Sequence, residues 1–104
     1  KATALAMLGD KVPASEAERI GMIYKVIPDE QFETESKKMV ATLAAMPTKG
    51  LAYTKQLLNM SFHTDYMEQL AEEDVFQQRA ANTDDFKEGI NAFLEKRQPV
   101  FKGK

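Results

Sequence analysis

The chain has 104 residues, of which 43% are hydrophobic, with no cysteine and a formal net charge of −2. This length suits one domain, and the absence of cysteine excludes disulfides, thiolate metal sites and a cysteine nucleophile. The slightly acidic balance argues against nucleic-acid binding, and no apolar run approaches the ~18 residues of a membrane span. We therefore expect a soluble, cytoplasmic protein without a membrane or nucleic-acid partner.

The first quarter of the chain predicts two short helices and a strand. KATALAML favours a helix that stops at Gly9. No capping residue or methionine precedes this run, which favours a fragment cut within a helix over a complete protein. After Pro13, ASEAER predicts a second helix closed by Gly21. Residues 22–28, MIYKVIP, hold the cluster of β-branched and aromatic side chains and predict one short strand ended by Pro28.

Four longer helices follow in the sequence. The first begins near Asp29 and ends before Pro47, and Thr48 is a candidate cap for the second. Thr64 is a candidate cap for the third, whose inward side chains are predicted to be Met67, Leu70 and Ala71. Thr83 caps the fourth, on which an apolar stripe recurs at helical spacing through Phe86, Ile90, Phe93 and Leu94. The fold class predicted is mainly α, with about five to six helices plus one short strand.

Few residues are candidates for catalysis. His63 is the one histidine, so the chain cannot build a His-based triad or a multi-His metal site, and we interpret it as solvated or capping. The acidic residues 72–74 point about 100° apart around a helix, which favours a solvent-exposed face over a catalytic site. A structural salt bridge is the alternative for Glu73. Asp84 and Asp85 follow a capping threonine, where the helix dipole stabilises carboxylates. These motifs therefore identify no catalytic residue and no metal site.

The last twelve residues, FLEKRQPVFKGK, combine aromatic rings with cations. Phe93 and Lys96 stand at i and i+3, so we expect their side chains to share a face near the end of the last helix. A ring beside ammonium groups can cover a nucleotide base while the cations meet its phosphates. The structural alternative is that cations favour a helix carboxyl terminus and that Phe93 belongs to the apolar stripe. These residues alone favour the structural alternative.

Two stretches resemble a known family. DKVPASEAERIGMIYKVIP resembles the charged turn, short A-x-x-A helix, glycine and strand of the crotonase superfamily, the enoyl-CoA hydratases and isomerases. NTDDFKEGINAFLEKRQPVF resembles the closing segment of those enzymes, D-x-x-E-G-x-x-A-F-x-x-K-R-x-P-x-F. Lys55, in the predicted helical segment TKQLLN, fits a lysine that is common at this position in the family. Within the family, LAAMPTKGLAYTKQLLNMS looks most like the ring-epoxide isomerases of bacterial phenylacetate degradation.

The resemblance implies that residues 1–104 are the carboxyl-terminal helical (trimerisation) part of an α/β ClpP/crotonase fold, without its amino-terminal spiral of ββα units. In the family, backbone N–H groups polarise the thioester and carboxylates of the spiral transfer protons, so no catalytic residue is carried over. Similar enzymes contact the adenine end of coenzyme A through an aromatic and a lysine at the places of Phe93 and Lys96; Arg97 is a weaker candidate. Coenzyme A enters as part of an acyl-CoA substrate, not as a separate cofactor, and a homotrimer or hexamer is expected.

Two other interpretations stay open. Composition and amphipathic helices suit a non-enzymatic helical interaction module equally well. A crotonase-fold enzyme of other chemistry, such as a thioesterase, dehalogenase or decarboxylase, is also compatible, because the residues that decide would lie upstream.

Overall fold

A computed structural model describes all 104 residues and contains helices but no strand. The six helices are α1 Ala2–Leu8, α2 Ala14–Arg19, α3 Asp29–Ala44, α4 Thr48–Met60, α5 Tyr66–Ala81 and α6 Asp84–Leu94. None of them has the length and apolar character needed to cross a bilayer. The chain divides into two units, residues 1–36 and 37–104, at a boundary within α3. The predicted mainly α class with about six helices is confirmed.

Two glycines end the helices of the first unit, as predicted. Gly9 follows α1 with φ of 67°, and its N–H donates to the carbonyl of Leu5. Gly21 lies just beyond α2 with φ of 75°. Both conformations are left-handed, where a residue without Cβ is at no steric disadvantage. These two stops are therefore set by local sequence.

The predicted strand at residues 22–28 is wrong. This segment forms a turn and then irregular backbone, and Tyr24 is exposed. The N–H groups of Met22 and Ile23 donate to the carbonyl of Ala17, at 2.8 and 3.3 Å, instead of to a neighbouring strand. A strand requires a partner for its backbone groups. Because the chain supplies no second strand, β-propensity alone does not produce one here.

Two of the predicted caps in the second unit are also wrong. Thr48 is the first residue of α4 itself, and Pro47 occupies the N-cap position without a side-chain hydrogen bond. The N-cap of α5 is Asp65, whose carboxylate accepts from the N–H of Glu68, while the Glu68 side chain accepts from the N–H of Asp65. This capping box satisfies two helix-end donors at once. Thr64 instead donates from its hydroxyl toward the preceding turn, at the carbonyl of Met60.

The small core of the second unit lies on α5, which packs against both α4 and α6. Phe76 is buried, and its ring packs edge-to-face against Tyr53 of α4 with 5.5 Å between the ring centroids. The guanidinium of Arg79 lies over the Phe76 ring, 5.0 Å from its centroid. Ala92 of α6 is buried as well. The residues predicted to point inward on this helix, in contrast, are exposed: Met67, Leu70 and Ala71. Helical spacing identified apolar faces but not which of them this chain covers.

Candidate functional site

The candidate site lies where α6 meets the ten residues that follow it, 95–104, here called the tail. The start of α6 is fixed by Thr83, whose hydroxyl accepts the N–H of Phe86 at 3.1 Å, so the predicted cap is confirmed. Tail residues 100 to 103 bond to α6 residues 88 and 85 in descending order. The tail therefore runs back along α6 toward its amino terminus.

Asp85 anchors the far end of the tail. Its residue surface is 3% exposed, and its two carboxylate oxygens accept the N–H groups of Lys102 at 2.7 Å and Gly103 at 2.8 Å. Its own N–H donates to the carbonyl of Lys104 at 3.1 Å. A carboxylate that accepts two short backbone bonds makes charge-assisted contacts, which are stronger than neutral ones. The sequence argument assigned Asp85 to the helix dipole alone and missed this role.

Glu88, one helical turn further on, holds the near end of the tail. Its carboxylate accepts two bonds from the guanidinium of Arg97, at 2.6 and 2.8 Å, and a third from the N–H of Val100 at 2.8 Å. The Arg97 Nε also donates to Glu95 at 2.5 Å. The hydrogen bonds from Arg97 and then from Val100 lower the pKa of Glu88 to about 2, and the same carboxylates raise the pKa of Arg97. The charged pair is thus fixed in its ionised form at neutral pH.

The ring of Phe101 lies between these two anchors and covers Gly89. A Cβ at position 89 would be 3.7 Å from the ring, an ordinary contact distance, so the ring rests directly on the helix backbone. The aromatic side chain of the tail therefore extends the apolar face of α6.

An apolar groove of about 430 Å³ opens beside this face. The stripe predicted on α6 forms one wall, and residues of α4, α5 and the tail complete the lining. The lining residues are Pro47, Gly50, Ala80, Thr83, Asp85, Phe86, Gly89, Ile90, Phe93, Leu94 and Phe101. Phe93 stands at its edge with 83% of its surface exposed. The stripe is real, but in this chain it faces an open groove and not a core.

Lys96 lies beyond the last turn of α6, because the helix ends at Leu94. Its φ of 54° is left-handed, and it is the one residue other than glycine with positive φ. The N–H of Lys96 donates to the carbonyl of Phe93 at 3.3 Å and that of Arg97 to Ala92 at 3.0 Å, which is the Schellman pattern at a helix end. The expected shared helical face of Phe93 and Lys96 is therefore replaced by a turn that keeps both residues exposed.

The three predicted ligand contacts thus differ in their surroundings. Phe93 and Lys96 are exposed at the end of α6, and the Lys96 ammonium forms no ion pair. The Arg97 guanidinium, in contrast, is occupied by Glu88 and Glu95. The sequence signal that could have revealed these partners is the pair of carboxylates at i and i+3 followed by a basic, proline-containing tail.

The other polar candidates are not part of this site. His63 lies exposed in the turn between α4 and α5, and its backbone N–H donates to the carbonyl of Met60. Glu73 accepts a hydrogen bond from Gln69 at 3.2 Å rather than forming a salt bridge. No three side chains of His, Asp or Glu gather where they could hold a metal ion.

Comparisons with known proteins agree along the whole chain. Residues 1–104 match the family described as enoyl-CoA hydratase/isomerase. The chain is 38% identical over 104 residues to the 1,2-epoxyphenylacetyl-CoA isomerase of Escherichia coli K12, covering 100% of this chain and 40% of that protein. It is 34% identical over 104 residues to the trans-2-decenoyl-[acyl-carrier-protein] isomerase of Streptococcus mutans, again covering 100% of this chain and 40% of that protein.

A solved structure is similar to this chain over nearly its whole length. The enoyl-CoA hydratase from Polaromonas sp. JS666 superposes with a TM-score of 0.88 at 30% identity, covering 98% of this chain and 40% of that one. The chain thus spans about 40% of the length of the relatives that it matches. The match over all 104 residues, including the tail and its two anchors, shows that the chain belongs to the enoyl-CoA hydratase/isomerase family.

Proposed function

We propose that residues 1–104 form the carboxyl-terminal helical segment of a crotonase-fold enzyme that hydrates or isomerises an acyl-CoA thioester. The remaining length of such an enzyme, the spiral of ββα units, would supply the oxyanion-stabilising N–H groups and the proton-transferring carboxylates. In this proposal the chain contributes contacts to coenzyme A and packing surface for a trimer or hexamer, and no catalytic residue.

The observation that carries this proposal is the exposed ring and unpaired ammonium group at the end of α6. Phe93 offers a large flat surface that is 83% exposed, and Lys96 offers a cation without an ion-pair partner. An adenine ring can stack on the first while a phosphate meets the second. Arg97 is the weaker contact, because Glu88 and Glu95 already occupy its guanidinium.

The finer assignment follows the resemblance to ring-epoxide isomerases. The Escherichia coli relative is named for an epoxyphenylacetyl-CoA substrate. We propose that the enzyme carrying this chain isomerises a ring epoxide of an aryl-acetyl-CoA in the cytoplasm, as a step of phenylacetate breakdown. In this proposal the enzyme needs no cofactor other than the coenzyme A that is part of the substrate.

Kinetics of the full-length enzyme with a CoA thioester test the contacts. Lys96→Ala and Phe93→Ala are expected to raise KM and to leave kcat nearly unchanged, because contacts distant from the reacting carbon bind ground and transition states alike. Lys87→Ala is the control: Lys87 is an exposed lysine of α6, the helix that carries Phe93, and it is paired with Asp84 at 3.7 Å. A lower kcat with unchanged KM for Lys96→Ala would contradict the assigned contact.

A further inference from the structure

The backbone at Lys96 is strained, and something must hold it there. A lysine at φ of 54° places its Cβ close to the following carbonyl, which is why glycine or asparagine usually occupies this place after a helix. Such a conformation persists only where the surrounding structure determines it. Two backbone hydrogen bonds, from Lys96 to Phe93 and from Arg97 to Ala92, close the turn, and the side chains of the residues that flank Lys96 add a second constraint.

Both sequence neighbours of Lys96 belong to one ion-pair network. Arg97 donates to both oxygens of Glu88, at 2.6 and 2.8 Å, and to Glu95 at 2.5 Å. The bidentate geometry fixes the orientation of the guanidinium as well as its distance. With Glu95 and Arg97 tied together from either side, the residue between them has little freedom to leave the left-handed region.

The tail closes the network from the other direction. The third bond to Glu88 comes from the N–H of Val100, so the chain on both sides of Pro99 is bound to the same carboxylate. Glu88 thereby joins the end of α6, the turn at residues 95–97 and the tail. The side chain of Glu88 is 24% exposed, against 40% for Arg97 and 62% for Glu95, so Glu88 is the member of the network that is most shielded from water.

We infer that Glu88 and Arg97 are positioning residues for coenzyme A: their bidentate pair holds the turn that keeps Lys96 exposed just beyond the helix end that carries Phe93. This inference rests on the proposed function, since it presumes that Lys96 meets the coenzyme. It gives Arg97 a different role from that of a direct phosphate contact. Its guanidinium donors serve Glu88 and Glu95, so of the two predicted cationic contacts, Lys96 and Arg97, the one left for a ligand is Lys96.

The test is a double-mutant cycle on KM for a CoA thioester in the full-length enzyme. Lys96→Ala is expected to raise KM about fivefold. This factor corresponds to the loss of about 1 kcal/mol, the contribution of an exposed ion pair. Glu88→Gln keeps the shape of the side chain but removes its charge, and is expected to raise KM about two- to threefold with kcat unchanged. In the Lys96→Ala background, Glu88→Gln is expected to add nothing, because it acts through Lys96.

A matched control separates positioning from a general effect of charge removal. Glu16 of α2 is likewise paired with an arginine, Arg19, and its pKa is lowered to about 2 by Arg19 and Lys1. Glu16→Gln therefore removes the same kind of charge from the same kind of pair and is expected to leave KM unchanged. Arg97→Lys keeps the positive charge and loses the bidentate fork, so it is expected to match Glu88→Gln.

The outcomes distinguish the proposed contact of Lys96 with coenzyme A from the positioning role of Glu88 and Arg97. If Lys96→Ala leaves KM unchanged, the proposed contact with coenzyme A fails. If Lys96→Ala raises KM but Glu88→Gln and Arg97→Lys do not, the contact stands and the positioning role is overturned. An increase from Glu88→Gln that is undiminished in the Lys96→Ala background also overturns it. Should Glu88→Gln fail to fold, Arg97→Lys completes the same cycle.

Discussion

The buried carboxylate of Asp85 gives the sharpest test of how the tail is held. Asp85→Asn changes one oxygen of the side chain to an amide nitrogen and leaves the volume almost unchanged. The wild-type oxygens each accept one backbone N–H, from Lys102 and Gly103. Because the asparagine side chain has a single oxygen, it can accept one of these two bonds and presents a donor to the other.

The expected cost follows from the bonds involved. A hydrogen bond to a charged group contributes about 1.5–3 kcal/mol, and a part-buried donor left without a partner adds to the loss. We expect the free energy of opening the tail to fall by about 2–3 kcal/mol. Asp84→Asn, at the preceding residue, is the control. The Asp84 side chain is 78% exposed, and its carboxylate oxygen lies 3.7 Å from the Lys87 ammonium. That change is expected to cost about 0.3–1 kcal/mol.

Amide hydrogen exchange at Lys102 and Gly103 measures this opening directly. At 1.4 kcal/mol for each factor of ten, the expected cost corresponds to exchange about 30- to 150-fold faster in Asp85→Asn. Exchange at the amides within α5 serves as an internal reference for the rest of the second unit. Equal effects of Asp84→Asn and Asp85→Asn on the two tail amides would refute the anchoring role derived from burial and geometry.

Three further predictions address the turn, the pH response and the exposed surface. Lys96→Gly should stabilise the turn by about 0.5–1 kcal/mol over Lys96→Ala in urea unfolding, because only glycine relieves the left-handed strain; equal stability of the two variants would contradict it. Because the pKa of Glu88 is lowered from 4.5 to about 2, its contribution is present above pH 4.5 and is lost as the pH falls to 2. Protection of the Val100 amide should decline over this interval, and a decline near pH 7 would exclude Glu88 as the cause. The 104-residue chain alone should self-associate through its exposed apolar faces, and light scattering that shows a monodisperse monomer at high concentration would count against this.

Local sequence predicted the helices of this chain because their signals act within a turn or two. Gly9 and Gly21 end the first two helices, and Thr83 caps α6 through a bond three residues away. The caps that were predicted incorrectly, Thr48 and Thr64, each lie one residue from the actual N-cap, which is Pro47 for α4 and Asp65 for α5. The family resemblance likewise depended on spacing along the chain and extends over all 104 residues.

Features that depend on distant partners could not be read from residue order. The strand predicted at residues 22–28 fails because pairing requires a second strand. The buried role of Asp85 depends on tail residues seventeen and eighteen positions later, and that of Glu88 on Arg97, nine positions later. Sequence by itself determined the number of helices, their places to within a residue or two, and the family to which the chain belongs. Only the tertiary structure decided which carboxylates hold the tail, because a carboxylate is bound by whatever donors the folded chain brings to it.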